Sequence, residues 1–368
     1  MKIAYFTFLS VVYLSFCSCT EQNEISSGET VEVVFKTNKM VNNGEQNNKE
    51  MSVLTFKSDK SGIFSLLSTN QDDTNWVSDE NGSMTKKIIL STGTYRFLMA
   101  SGFSINPENK DSIVFLKEGE KTGDYDFDYY FKHPSVSDNN RLLLTPCSPS
   151  LYIDSNEPGL EGNEENYTLI EGNKFSVSRR VTRLQGRLDF MVRRGEIINN
   201  KLVPISEGQN NEDALNNAFN KIESIQVVAN NISTRCHVSG LKCSTPGKYI
   251  FNLSKEHFTS FNSSEFVKEL NDVKQTDYSD FDNSAYYRGP LLFPAPKEED
   301  IYLNIIIDYK EPLANKTIGP LSVQLNRNRV TLVILWLLNE EIGIDVTVDE
   351  DDLVFGNGTT NGDNGFWN

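Results

Sequence analysis

Catalysis and metal binding need nucleophiles, bases or ligands at fixed spacing, and this chain offers few such constellations. Its three histidines, His133, His237 and His257, stand in unrelated contexts, so a histidine triad or a histidine metal cluster has little to build on. Asp124, Asp126 and Asp128 open like a calcium loop. However, Tyr129 occupies the place of the loop glycine and Ser135 that of the bidentate glutamate. The interleaved Tyr125, Phe127 and Tyr129 make this an alternating strand with its carboxylates outward. Asp349 to Asp352 is a second acidic cluster, with hard oxygen ligands but no loop geometry. Gly240 to Lys248 falls short of a phosphate loop, because its glycines are too far apart and Tyr249 replaces the magnesium-binding hydroxyl. No G-x-S-x-G elbow is present. Glycosidase carboxylate pairs cannot be singled out among 51 acidic residues. The expectation is no enzyme, no metal and no cofactor.

One thiol carries a recognisable chemistry. Lys2 precedes a run from Ile3 to Phe16 that is apolar or hydroxylated, too short to span a bilayer as a helix, which needs about 20 residues. It reads as the core of a signal peptide. Small Ser18 directly before Cys19 resembles the lipobox of bacterial lipoproteins, whose cysteine receives the lipid. On that reading residues 1–18 are removed, Cys19 is acylated and 19–30 form a polar tether. Cys17 is the rival site, but it would place bulky Phe16 at the cleaved bond. An ordinary signal peptide with incidental cysteines is the other reading. Cys147, Cys236 and Cys243 remain: Cys236 with Cys243 could staple a hairpin, and an odd count leaves one thiol over.

The formal net charge of −16 repels phosphate backbones and anionic lipid, so nucleic acid is excluded as a partner and the membrane link falls to the lipid alone. The longest apolar run after the signal, Val330 to Leu338, fits a buried strand.

Two-residue alternation recurs along the chain. Val31, Val33 and Phe35 share a face, as do Tyr95, Phe97 and Met99, and Ile301, Leu303, Ile305, Ile307 and Tyr309 give the clearest case. Helical spacing is confined to 212–221 and, more briefly, 264–273. Strands parted by Gly, Asn, Asp and Pro clusters predict an all-β chain of antiparallel sandwiches. The acidic segment 154–166 is the expected linker, giving an N-terminal sandwich over 31–160, a C-terminal one over 166–355 and a tail over 356–368. Phe366 and Trp367 end that tail, to be docked in the chain's own core or inserted into a partner. Arg179, Arg180, Arg183, Arg187, Arg193 and Arg194 read as an outer strand face that pairs with carboxylates.

The lipobox cysteine, the entry Ser91-Thr92-Gly93-Thr94-Tyr95-Arg96-Phe97, the segment Phe175 to Val192 with Arg179, Val181, Arg183 and Leu188, and the ending Gly365-Phe366-Trp367-Asn368 follow in order. Together they resemble the fimbrillin superfamily of Bacteroidales-type (type V) fimbriae, most closely its anchor lipoproteins. The resemblance implies two tandem transthyretin-like β-sandwich domains and a structural subunit of a surface fimbrium. It implies the outer membrane as location, other fimbrial subunits as partners through β-strand donation, and host or bacterial surface ligands for adhesion. Stalk subunits of that family lose their first strand to an arginine-specific protease. This chain has no arginine between Cys19 and Arg96, so Val31, Val33 and Phe35 should be retained, favouring an anchor or accessory role. Lys36 and Lys39 would serve a protease of other specificity. The expected donor or docking residues are Val346, Val348, Leu353, Val354 and Phe355, with Phe366 and Trp367. The alternative is a glycan-binding surface lipoprotein of a polysaccharide uptake system, using Trp76, Tyr125, Tyr129, Tyr286 and Tyr287.

Overall fold

The computed structural model describes residues 29–37, 51–69, 76–78, 84–109, 111–138, 141–144, 150–155, 165–199, 201–204, 216, 219–269, 278–296, 299–311, 315–338, 344–347 and 353–354. Cys19, Lys39 and Cys147 lie outside these, as do Val348, Phe355, Phe366 and Trp367. The layers are built by β1 (Thr30–Thr37), β2 (Ser52–Ser58), β3 (Met84–Ser91), β4 (Gly93–Ser101), β5 (Val114–Glu118), β6 (Asp128–Lys132), β7 (Tyr152–Ser155) and β8 (Phe175–Arg183). They continue with β9 (Gly186–Ile198), β10 (Ile222–His237), β11 (Cys243–Leu253), the helix α1 (Ser263–Glu269), β12 (Ile301–Tyr309), β13 (Lys316–Val323), β14 (Arg329–Leu338), β15 (Ile344–Thr347) and β16 (Leu353–Val354). The fold is all-β, as the alternation predicts. Helix α1 begins one residue before the shorter helical candidate, whereas most of 212–221 lies outside the described residues.

Strand β1 is held on both edges. It pairs antiparallel with β3 from Thr30↔Ser91 to Thr37↔Met84, and parallel with the first half of β8 from Val33↔Phe175 to Thr37↔Arg179. The second half of β8 leaves β1 and pairs with β7, which meets β4 and, through it, β2. One sheet therefore folds over on itself along β8. Its inner faces enclose Val31, Val33, Phe35, Val53, Phe97 and Val181, with the Phe35 and Phe97 rings edge to face, their centroids 4.9 Å apart.

The opposite face of β2, β4 and β7 is buried as well. Leu54, Phe56, Leu98 and Ile153 pack against Phe115, Tyr129 and Phe131 of β5 and β6, and against Cys236 and Cys243 at the far end of the β10–β11 hairpin. The near end of that hairpin lies over β9 and β14, where Ile225, Val227 and Phe251 meet Leu188, Phe190 and Val333. Between the two ends the register slips at Asn230/Ile232, and Asn231 adopts φ 64°. A bulge bends and twists a strand, and here it falls where the hairpin passes from one core to the next. β9 and β14 run parallel over nine residue pairs, with a second core of Met191, Leu332, Ile334, Phe261 and Phe266 beneath α1. Burial on both faces explains the largely apolar stretch from Val330 to Leu338 in β14.

The antiparallel pattern holds for most ladders, but β1–β8, β9–β14 and the bridge Leu143↔Lys248 are parallel. Some strand pairings also run across the acidic segment. β8, beyond the acidic segment, returns to the first sheet, and β6, before it, pairs with β10 through Arg235↔Lys132 and Cys236↔Phe131. Composition marks where the chain is polar, whereas the sheet boundary depends on which distant strand each segment meets.

Candidate functional site: the terminal strands and the outer face of the long hairpin

The retained-strand residues sit where the first core is densest. Val31, Val33 and Phe35 are buried beneath β2 and β4, while Glu32 and Lys36 point to solvent, the period-2 outcome of a strand with one apolar face. Removing β1 would leave a slot between β3 and the first half of β8, floored by Phe97 and Val177. The far end of the chain lies along β14: β15 pairs from Ile334↔Thr347 to Leu337↔Ile344, placing Val346 opposite Leu335, and β16 places Leu353 and Val354 opposite Val330 and Arg329. Those three donor candidates therefore lie against the edge of their own chain's sheet.

Arg187 and Arg193 do not lie on an outer face. Arg187 is 2% exposed and Asp189 fully buried, joined by Nε to Oδ1 at 2.8 Å and Nη2 to Oδ2 at 2.8 Å. The Tyr286 hydroxyl and the Gly289 N–H donate to the same carboxylate at 2.5 and 2.9 Å. A Cβ at Gly289 would stand 1.7 Å from the Leu188 carbonyl oxygen, so only glycine lets the backbone come this close. Arg193 donates to the Asp280 carbonyl at 2.6 Å and lies over the Phe281 and Trp336 rings. Arg179 pairs with Glu165 at 2.6 Å, and Arg183 donates to the Tyr152 hydroxyl at 2.9 Å. These four guanidinium groups find a carboxylate, carbonyl, hydroxyl or ring within the chain, partners that sequence order alone does not reveal.

The outer face of the hairpin's far end gathers the polar residues that the sequence leaves scattered. His237 Nδ1 lies 2.7 Å from Asp128 Oδ1 and its Nε2 lies 2.5 Å from Ser244 Oγ. Beside it the Tyr130 hydroxyl donates to Glu118 at 2.5 Å while Arg235 stacks on the Tyr130 ring. Burial, together with the Glu118 carboxylate, holds the Tyr130 phenol far above its ordinary range. The first three have the order of an orienter, a base and a hydroxyl nucleophile. Ser244, however, lies within β11 directly opposite Arg235 of β10, so the group ties β6, β10 and β11 together. Sequence reading discounted His237 because its partners lie 109 and 7 residues away.

The aromatic residues named for glycan binding do not form an exposed platform. Tyr125 and Tyr129 are core residues, and burial raises the Tyr129 phenol to about 12. Tyr286 is engaged with Asp189, Tyr287 packs against Phe190 and Phe251, and Trp76 is partly buried with its Nε1–H donating to the Met51 carbonyl at 2.6 Å.

Fold and surface together define an all-β protein whose first strand is a central member of its own sheet and whose polar clusters join strands. No family model and no curated protein matches the chain. Among solved structures it is similar to a candidate adhesin from Bacteroides thetaiotaomicron, at 12% identity and TM-score 0.44 over 90% of this chain and 99% of that one. It is similar also to a fimbrial protein from Bacteroides vulgatus, at 10% identity and TM-score 0.41 over 88% and 99%. A fimbrial assembly protein from Parabacteroides distasonis gives 11% identity and TM-score 0.36 over 87% and 98%.

Proposed function

We propose that the chain is a non-catalytic, cell-surface subunit of a fimbrial or adhesin-like assembly, anchored to the outer membrane by a lipid on Cys19 and retaining its own first strand. The observation that supports this best is the central position of β1, which holds hydrogen-bonded neighbours on both edges and three buried side chains. Strand donation needs an acceptor slot, and main-chain pairing supplies its affinity. A chain that fills that slot itself can end or anchor a fibre but cannot extend it. A protease acting after Lys36 would have to extract a strand paired on both sides, which requires local unfolding. On this reading the segment from Val346 to Phe355, with Phe366 and Trp367, offers the strand through which a neighbouring subunit is joined. The division into two sandwich units, over 31–160 and 166–355, is kept as part of the proposal.

Intact-mass analysis of the protein from the envelope of its native host, with N-terminal peptide mapping, tests the reading. A lipid on Cys19 with Val31 to Phe35 still attached is the expected result. A chain beginning after Lys36 or Lys39 makes it a processed, polymerising subunit and overturns the anchor role. A serine-directed fluorophosphonate should leave Ser244 unlabelled; labelling that depends on His237 would sink the non-catalytic part.

A further inference from the structure

Cys236 and Cys243 stand directly opposite each other across β10 and β11, both as buried thiols. The next position toward the turn is closed by the His237 N–H donating to the Lys242 carbonyl at 2.8 Å. In an antiparallel ladder hydrogen-bonded and non-hydrogen-bonded pairs alternate, so the cysteines occupy a non-hydrogen-bonded pair, where Cα atoms approach to about 4.5 Å and side chains are closest. That lies within the roughly 4.4–6.8 Å that a disulfide spans. Both side chains point into the core formed with Phe131, Leu184 and Phe293. The Cys243 thiol is held below its ordinary pKa first by a hydrogen bond with the Cys236 side chain, against the desolvation of its burial, and then by the Arg327 guanidinium, which favours the attacking thiolate.

We infer that Cys236 and Cys243 form a cross-strand disulfide when the chain meets a small-molecule or protein disulfide as oxidant. The Cys243 thiolate attacks one sulfur of the oxidant and releases a thiolate; the Cys236 thiolate then attacks Cys243 of the mixed disulfide and releases the second. The two protein thiols are oxidised, the oxidant disulfide is reduced to two thiols, and two protons pass from protein to oxidant. Because both sulfurs are buried, the exchange proceeds while the hairpin end is open, during folding, and is slow afterwards. The bond then clamps the part of the hairpin that closes the second face of the first sheet.

The test is to refold the full chain in a mixture of oxidised and reduced glutathione, quench with acid, alkylate under denaturing conditions with N-ethylmaleimide and map the peptides. The expected result is a Cys236–Cys243 linkage lighter by two hydrogens, with Cys17, Cys19 and Cys147 alkylated. In the Cys236→Ser chain Cys243 should become alkylated, and its thermal midpoint should fall below the parent's under oxidising but not reducing conditions. Alkylation of both cysteines in the refolded parent, or linkage of either to Cys147, would overturn the inference.

Discussion

At the scale of single residues, two buried carboxylates make opposite demands on the solvent. Asp154 is buried in the first core with neither oxygen closely hydrogen-bonded, and desolvation raises its pKa to about 7, opposed only weakly by the Met99 amide and Arg179. The unfolded chain binds this proton only below the ordinary value of 3.8. The folded state is therefore favoured most below that pH, and stability drains away as pH rises from there through about 7. Asp154→Asn should remove this dependence and raise stability at pH 8 by a few kcal/mol, since each tenfold change in proton affinity on folding is worth about 1.4 kcal/mol. Urea midpoints at pH 5 and pH 8 would check it, and a mutant that gains nothing at pH 8 would refute it. Asp189, in contrast, is buried with both oxygens hydrogen-bonded. Asp189→Asn should strand the buried Arg187 and cost about 3–5 kcal/mol, whereas Arg187→Met with Asp189→Leu should recover most of that loss. A double-mutant cycle in denaturant reads both.

At the scale of elements, β1 and the hairpin carry the argument. Phe35→Ala removes a ring buried against Phe97 and should cost about 3–5 kcal/mol, measured by chemical denaturation. A chain cut to begin after Lys39 should expose the slot between β3 and β8. Adding a synthetic Thr30–Thr37 peptide should then restore the thermal midpoint, while a peptide with its apolar residues shifted by one position should not, because a one-residue slip turns that face to solvent. The Asp128–His237–Ser244 chain and the Tyr130–Glu118 bond belong to this scale too, since each joins strands distant in sequence.

For the whole molecule, the layers form a continuous mechanical path. β1 lies in the folded-over sheet, that sheet packs on the far end of the hairpin, the near end packs on β9 and β14, and β15 and β16 complete β14. If the lipid holds one end and a neighbour takes the other, load passes along many parallel main-chain hydrogen bonds. Cys19→Ala should move the protein from the membrane fraction to the soluble fraction of the envelope without changing the thermal midpoint of the folded part, which fractionation and a melting curve would show.

The sequence by itself determined the all-β class, because period-2 alternation at Val31–Phe35, Tyr95–Met99 and Ile301–Tyr309 admits one secondary structure. It also marked Val330 to Leu338 as a buried strand, since only a layer covered on both faces tolerates so apolar a run. Which strands meet was decided by tertiary structure. The parallel pairing of β1 with β8, the return of β6 to β10 and the burial of Arg187 against Asp189 join residues whose separation along the chain carries no local signal. Periodicity reports which face of a segment avoids water; the partner that covers that face is set by packing energies summed over the folded chain.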